Sequence, residues 1–234
     1  MKTSTQRTQH KRNRGFTLIE ILAVIAIIGI LAGTIGTVVP MARERAARNT
    51  ASSNLRNIVL GCLSYADTNN GRPIKEGSSI ENGEANTPAD FAAILARSGS
   101  EFNLGKLWYI PEDPVFDKSG KEVPQRVLQD GKTGNLLTGV KPIAWAVVVN
   151  ANRQKYSNSK YPLIWTRGLG TGGEWVEDAP WGIKGGHIAF GDAHLDFFQN
   201  LTATSRKLEK FDGKGETSSY LEAIGDGAKV KEDS

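Results

Sequence analysis

Three side chains near the C-terminal end of the chain could take part in acid–base or metal chemistry: His187, Asp192 and His194. Histidine titrates near neutral pH and ligates transition metals, and an aspartate can orient an imidazole or complete a metal site. A second His in a hairpin turn plus one Asp gives too few ligands to indicate a zinc site. The sequence also has no H-E-x-x-H, G-x-S-x-G or P-loop pattern. We therefore expect no catalytic residue and no metal, and we interpret Asp192 and His194 as residues that hydrogen-bond within a turn.

A fourth candidate side chain, the carboxylate of Glu20, lies within an otherwise uncharged stretch from Phe16 to Val39. A helix of this length is about 36 Å long, which is enough to cross a hydrocarbon core of about 30 Å. An acidic side chain at the centre of a bilayer costs about 2.5–3.5 kcal/mol, and less near either end of the helix. We interpret Glu20 as the partner of a cation on another chain. The alternative is that its side chain extends to the membrane interface.

Basic residues are concentrated before the apolar stretch. Residues 1–15 carry five Lys or Arg and no acid, whereas the rest of the chain has 24 basic and 25 acidic side chains. The formal net charge of +4 therefore belongs to the N-terminal tail, which argues against a nucleic-acid-binding body. A basic tail before an apolar run stays in the cytoplasm and sends the following chain to the other side. A single Cys excludes an intramolecular disulfide framework.

The segment Lys11–Glu20 reads KRNRGFTLIE and resembles the leader of type IV prepilins and type II secretion pseudopilins. The shared features are a basic leader, a Gly followed by a Phe, a Glu four residues after that Phe, and a long apolar helix. The resemblance implies cleavage by a prepilin peptidase between Gly15 and Phe16 and N-methylation of Phe16. It also implies that Glu20 pairs with the Phe16 amine of a neighbouring subunit in a filament core, where the low dielectric constant strengthens the attraction.

The same resemblance implies a location and partners. The location is the bacterial inner membrane, with a single span, a cytoplasmic N-terminus and an extracytoplasmic head, and then a periplasmic or surface filament. The partners are the prepilin peptidase and methyltransferase, other pilin-like subunits and an inner-membrane assembly platform. Many family members have a proline in the middle of this helix. Here the first proline is Pro40, and Gly29 and Gly33 lie in that region instead. They permit either close helix packing or local flexibility, and membrane helices are in any case rich in Gly.

Beyond the apolar run, apolar residues recur every three or four positions, as on the buried face of an amphipathic helix. The stripe is weak before Leu55 and strong after it, so only its second half is expected to pack on a globular domain. The sequence Asn69-Asn70-Gly71 predicts the end of the helix. The predicted segments are a cleaved leader (1–15), a transmembrane assembly helix (16–40), an amphipathic spine helix (41–70) and a globular head (71–234). The stripe consists of Ala47, Ala51, Leu55, Ile58, Cys62 and Tyr65.

The head is predicted to contain one short helix and a small sheet. Residues 88–98 have helical spacing after an N-terminal proline. Residues 143–149 and 163–165 are β-branched or aromatic, and two apolar runs at 187–190 and 195–198 flank a turn, which predicts a hairpin. We expect a polar, partly helical tail after Leu201 with a frayed end. The fold class is α+β and pilin-like: a long N-terminal helix packed on a small antiparallel sheet.

The hairpin is similar to a C-terminal hairpin of pseudopilin-like proteins in which the turn reads Asp-Gly, and this similarity favours the secretion branch. Ala193 takes the place of that Gly. A type I′ turn needs a positive φ there, which Ala tolerates poorly, so we expect a longer or different turn. Major pseudopilins hold calcium in their C-terminal loops. Here the aspartates lack EF-hand spacing, and we expect no cofactor, with calcium as the open alternative. These aspartates are Asp178, Asp192, Asp196, Asp212 and Asp226.

Two kinds of function remain after these considerations. One is a structural subunit that polymerises through its N-terminal helix, without enzymatic activity. The other is a membrane-anchored extracytoplasmic binding or enzymatic domain that uses the same leader, which would need a pocket with convergent polar groups. The leader favours the structural subunit. The sequence leaves open whether the filament serves type II-like protein secretion, a surface pilus or DNA uptake, and whether the subunit is major or minor.

Overall fold

The computed structural model describes residues 16–131, 133–152, 159–202 and 207–233, and of residues 34–37 it describes the backbone only. The predicted leader, with Gly15 of the predicted cleavage site, lies outside the described residues. The chain divides into two compact units, Met1–Arg45 and Ala46–Ser234. The helices are α1 (Leu18–Thr68), α2 (Pro88–Ser98), α3 (Pro114–Lys118) and α4 (Tyr220–Ile224). The strands are β1 (Lys75–Glu76), β2 (Glu84–Ala85), β3 (Trp145–Val149), β4 (Pro162–Thr166), β5 (Gly186–Phe190), β6 (Leu195–Phe198), β7 (Leu208–Glu209), β8 (Glu216–Thr217) and β9 (Lys229–Lys231).

In the first unit, α1 presents its apolar side chains to the outside. Phe16, two residues before its start, is 81% exposed, and the large apolar side chains that follow are more than half exposed as far as Leu31. By length and composition, this part of the helix is able to cross a membrane. An exposed apolar surface of this extent indicates contact with lipid or with another chain.

In the second unit, one face of α1 is buried in the hydrophobic core of the head. Five of the six predicted stripe residues are buried, and Tyr65 is half-buried. The expectation that the stripe packs only after Leu55 is wrong, since Ala47 is 9% exposed and Ala51 only 2%. Alanine adds little to a hydrophobic pattern, yet its small side chain lets a helix lie close against its neighbours and is often fully buried.

The helix ends where the sequence predicts. Thr68 is its last residue, and Asn70 and Gly71 have positive φ values of 56° and 70°. The Gly71 N–H donates to the carbonyl oxygen of Ala66 at 2.7 Å. This bond, made by a residue after a left-handed position, is the Schellman pattern that satisfies a free carbonyl at a helix end.

The core of the head is a five-stranded antiparallel sheet with the strand order β6-β5-β4-β3-β9. Every residue of β3, β4 and β5 is buried. A strand covered on both faces has a continuous apolar sequence rather than an alternating one, which explains why these strands stand out in the sequence. The predicted α+β fold class and the hairpin formed by β5 and β6 are confirmed.

The expectation of a frayed C-terminal end is wrong. β9 pairs antiparallel with β3, with Val230 opposite Val148. The carboxylate of Asp233 is buried, where it accepts a hydrogen bond from the Ile143 N–H at 3.0 Å and pairs with Lys141 Nζ at 2.9 Å. A strand of three residues, two of them lysines, carries no recognisable pattern, so only the tertiary contact reveals it. The expected helical part of the tail is α4.

Outside the sheet, the head has the predicted helix and the predicted loops, except that the loops contain some short elements. Helix α2 has the predicted bounds, and its N-terminus is held by a capping box between Thr87 and Asp90. The predicted loop at 71–87 contains the parallel pair β1 and β2. The predicted loop at 107–140 contains α3. Elements of two to five residues are too short for a periodic signal.

Candidate functional site

The N-terminus of α1 is closed by a reciprocal pair of hydrogen bonds between Thr17 and Glu20. The Thr17 N–H donates to Glu20 Oε2 at 2.7 Å, and the Thr17 hydroxyl donates to the same oxygen at 2.9 Å. In return, the Glu20 N–H donates to Thr17 Oγ1 at 3.3 Å. This is a capping box, in which two backbone N–H groups that lack helical partners are satisfied by side chains.

The capping box changes the interpretation of Glu20. From the sequence, Glu20 is interpreted as the partner of a cation on another chain or as a side chain that reaches the membrane interface. The structure instead gives it a partner within its own chain. The pattern Thr-x-x-Glu before an apolar run is the usual sequence signature of a capping box, so the signal was present and was missed. The helix N-terminus also favours a negative charge through its dipole. Pairing between Glu20 and a neighbouring Phe16 amine stays a prediction.

The remaining predicted assembly residues lie on the open surface of the same helix. Nothing stands within 4 Å of the position that a Cβ would occupy at Gly29 or at Gly33. Both glycines therefore leave a shallow strip on which a second helix could approach the backbone closely. The structure places Glu20, Gly29 and Gly33 along one continuous helix, and Phe16 lies two residues before its start.

In the head, Asp192 and His194 are paired in the turn between β5 and β6. His194 Nδ1 lies 2.5 Å from Asp192 Oδ1, and the His194 N–H donates to the same oxygen at 3.1 Å. The imidazole stacks in parallel on the ring of Phe190, with centroids 4.4 Å apart. Burial by itself raises the pKa of Asp192, but the hydrogen bonds and charge of His194 outweigh it and lower that pKa. These contacts agree with the interpretation of both residues as turn formers.

The turn is of another type than I′, as expected from Ala193. Ala193 has a φ of 65°, while neither Gly191 nor Asp192 has a positive φ. The Ala193 N–H donates to the Phe190 carbonyl at 2.9 Å, and the Phe190 N–H donates to the His194 carbonyl at 3.0 Å. The hairpin thus has a three-residue loop whose last residue is left-handed, a common alternative to the two-residue loop.

The structure keeps His187 apart from this pair. His187 and Phe190 are three residues apart in β5 and so point to opposite faces of the sheet, and His194 stacks on Phe190. His187 is 5% exposed. Burial and the nearby charge of Arg48 lower the pKa of His187 to about 4. Among the described residues, no group of three or more His, Cys, Asp and Glu side chains could hold a metal ion.

Comparison with known proteins agrees with the site at the N-terminus. Residues 10–36 match the family model described as the prokaryotic N-terminal methylation motif. This match supports the prepilin-type superfamily and identifies the start of the chain as a prepilin-type motif. No curated protein and no solved structure matches the chain. The secretion branch suggested by the hairpin therefore rests on the sequence resemblance alone.

Proposed function

We propose that the chain is a structural, pseudopilin-like subunit. A prepilin peptidase cuts it between Gly15 and Phe16, the new amine of Phe16 is methylated, and the subunit assembles through α1 into a periplasmic or surface filament. The role we assign to the filament is type II-like protein secretion. The subunit has no catalytic residue and needs no cofactor. Before assembly it resides in the inner membrane, with its head outside the cytoplasm.

The observation that carries this proposal is the match to the N-terminal methylation motif at residues 10–36. The structure of α1 supports it in two ways. The apolar side chains of the helix face outward, so they need lipid or other subunits as neighbours. The carboxylate of Glu20 lies in the first turn, beside the position at which cleavage would create an amine.

The test separates the two roles that Glu20 can have. Glu20→Gln removes the charge but keeps an oxygen that can accept from Thr17. Thr17→Ala removes the capping hydroxyl and keeps the charge. We expect Glu20→Gln to be processed and retained in the membrane but to form no filament, because the Phe16 amine of its neighbour would lack a counter-ion in an apolar core. We expect Thr17→Ala to assemble.

Intact-mass measurement of the membrane-extracted protein comes first, and loss of residues 1–15 from both variants is required. Filaments are then measured in the fraction released by shearing, at equal membrane abundance. Normal assembly of Glu20→Gln together with failure of Thr17→Ala would show that Glu20 serves as a cap only. Retention of residues 1–15 in the wild-type protein would refute the proposal itself.

The secretion role needs a separate experiment. Deletion of the gene should block the export of a defined set of proteins without changing surface adhesion or DNA uptake. A loss of adhesion or of DNA uptake with normal export would assign the filament to a pilus instead.

A further inference from the structure

Helix α1 and the β5–β6 hairpin touch at a cluster of four side chains, which we call the aromatic cluster: Arg48, Trp181, His187 and Phe197. The guanidinium carbon of Arg48 lies 4.3 Å from the centre of the Phe197 ring, a cation–π contact. The His187 ring meets Phe197 edge-on at 5.1 Å between centroids and Trp181 edge-on at 5.0 Å. His187 is thus enclosed by the contact that joins the helix to the edge of the sheet.

The aromatic cluster suits a neutral imidazole and not a charged one. His187 Nδ1 is buried, and no atom of the described residues accepts or donates a hydrogen bond there. The neighbour from β4 is Thr166, and its hydroxyl oxygen accepts a hydrogen bond from the His187 backbone N–H. The neighbours from the loop and from β6, Trp181 and Phe197, are uncharged. Among the described residues, the charge that acts on the ring is that of Arg48, on α1. Protonation would create a buried cation beside another cation, with no acceptor for its second N–H.

We propose that His187 makes the contact between α1 and the β5–β6 hairpin sensitive to acid, so that protonation of its imidazole releases Arg48 and opens the aromatic cluster. Arg48 and Phe197 are the half-buried members, whereas Trp181 and His187 are buried. Parting Arg48 from Phe197 therefore exposes the least apolar surface, separates the two cations and gives the imidazole access to water. This inference concerns the second unit, Ala46–Ser234, and is independent of filament assembly.

The direction of the pH effect follows from linkage. The pKa of His187 is lowered to about 4, below the ordinary value of 6.5 that it would have once exposed. The closed cluster is therefore fully stable above pH 6.5 and loses stability as the pH falls towards 4. In this range the open population rises by up to about tenfold per pH unit. Below pH 4 both states are protonated and the effect ends.

Thiol labelling of the full-length protein in detergent micelles tests this inference. Ala51, one turn after Arg48 on the buried face of α1, is replaced in the variant Ala51→Cys, with Cys62→Ala removing the native thiol. We expect its reaction with a dithiodipyridine reagent, which works in mild acid, to accelerate at least tenfold from pH 6.5 to pH 4.5 after correction for the reactivity of a free thiol. Cys62 in the otherwise native protein lies further along α1 and should stay protected.

Two further substitutions decide the outcome. His187→Phe and His187→Gln both remove the titrating group, and in either background the acceleration should vanish; the Gln variant serves if the Phe variant fails to fold. His194→Gln, in the same hairpin, is the matched control and should keep the acceleration. An equal acceleration in the His187 variants, no acceleration at all, or parallel exposure of Cys62 would each overturn the proposal, the last because it would mean that the whole head unfolds.

Discussion

The buried ion pair between Asp113 and Arg167 is the contact whose loss should damage the head most. The two side chains are almost completely buried, with Asp113 at 0% and Arg167 at 3% exposure. Arg167 Nη2 donates to Asp113 Oδ1 at 2.6 Å, and Nε donates to Oδ2 at 3.1 Å. The same carboxylate caps α3 by accepting from the backbone of Val115 at 3.0 Å. The buried carboxylate of Asp113 thus holds the N-terminus of α3 to Arg167, the residue that follows β4.

The perturbation is Arg167→Met, which keeps the stem of the side chain and removes its charge. Breaking a buried pair by removing one partner costs about 3–5 kcal/mol, because the remaining charge has no counter-ion. In a domain of this size 1 kcal/mol corresponds to about 2–4 °C in Tm, so Tm should fall by about 10 °C. Urea and thermal unfolding would be measured on the fragment that begins at Arg43, which contains the whole of the second unit.

The pH dependence provides a sharper check on the reasoning. Burial already raises the pKa of Glu232, although the Gly168 N–H and the charge of Arg167 act against this rise. Without the charge of Arg167 the pKa of Glu232 should rise further. The stability cost of Arg167→Met should therefore shrink as the pH falls from 7 to 5, where protonation neutralises the Glu232 carboxylate.

Arg97→Met is the matched control, since Arg97 pairs with an exposed Glu81 at 3.5 Å, and its cost should stay below about 1 kcal/mol. A loss for Arg167→Met no larger than that of Arg97→Met, or one that does not change with pH, would refute the argument.

Two further predictions concern the backbone of the head. Gly105→Ala should cost more than about 2 kcal/mol in urea unfolding, because a Cβ there would collide with the carbonyl oxygen of Pro124. Gly139→Ala, with open space around the added Cβ, should change stability by less than about 0.5 kcal/mol, and equal effects of the two substitutions would contradict the packing. Asp233→Ala should lower the free energy of unfolding by about 2 kcal/mol, because it leaves the buried N–H of Ile143 without an acceptor. Asp212→Ala, at an exposed turn, should change it little. An Asp233→Ala variant as stable as the wild type would mean that this residue does not hold the sheet.

Much of the fold could be predicted because local signals and tertiary structure agree. Helix α2 has a capping residue, an N-terminal proline and helical spacing, so its bounds follow from the sequence alone. The central strands have continuous apolar sequences because both of their faces are buried. By contrast, β9 has no local signal, and its pairing with β3 depends on contacts across the whole head.

The candidate sites likewise divide into those with a local sequence signal and those that only the tertiary structure brings together. The motif around Gly15, Phe16 and Glu20 is contiguous, so a single sequence displays it. The Thr17 cap is equally local, since Thr17 and its partner Glu20 are three residues apart in the pattern Thr-x-x-Glu. The pair Asp113 and Arg167 joins residues 54 positions apart, and the surroundings of His187 come from four separate elements. No spacing rule can reveal such contacts.

The place of β9 in the sheet also sets an order of events during synthesis. β3 is an interior strand, yet one of its two neighbours is made only after about 80 further residues, the separation of Val149 and Lys229. Until then, an apolar strand has one open edge, and such edges are prone to pair with other chains. Contacts so distant in sequence form slowly. The head therefore completes its sheet last of all, and a chain that is cut or stalled before β9 becomes a substrate for proteases and chaperones rather than a stable shorter head.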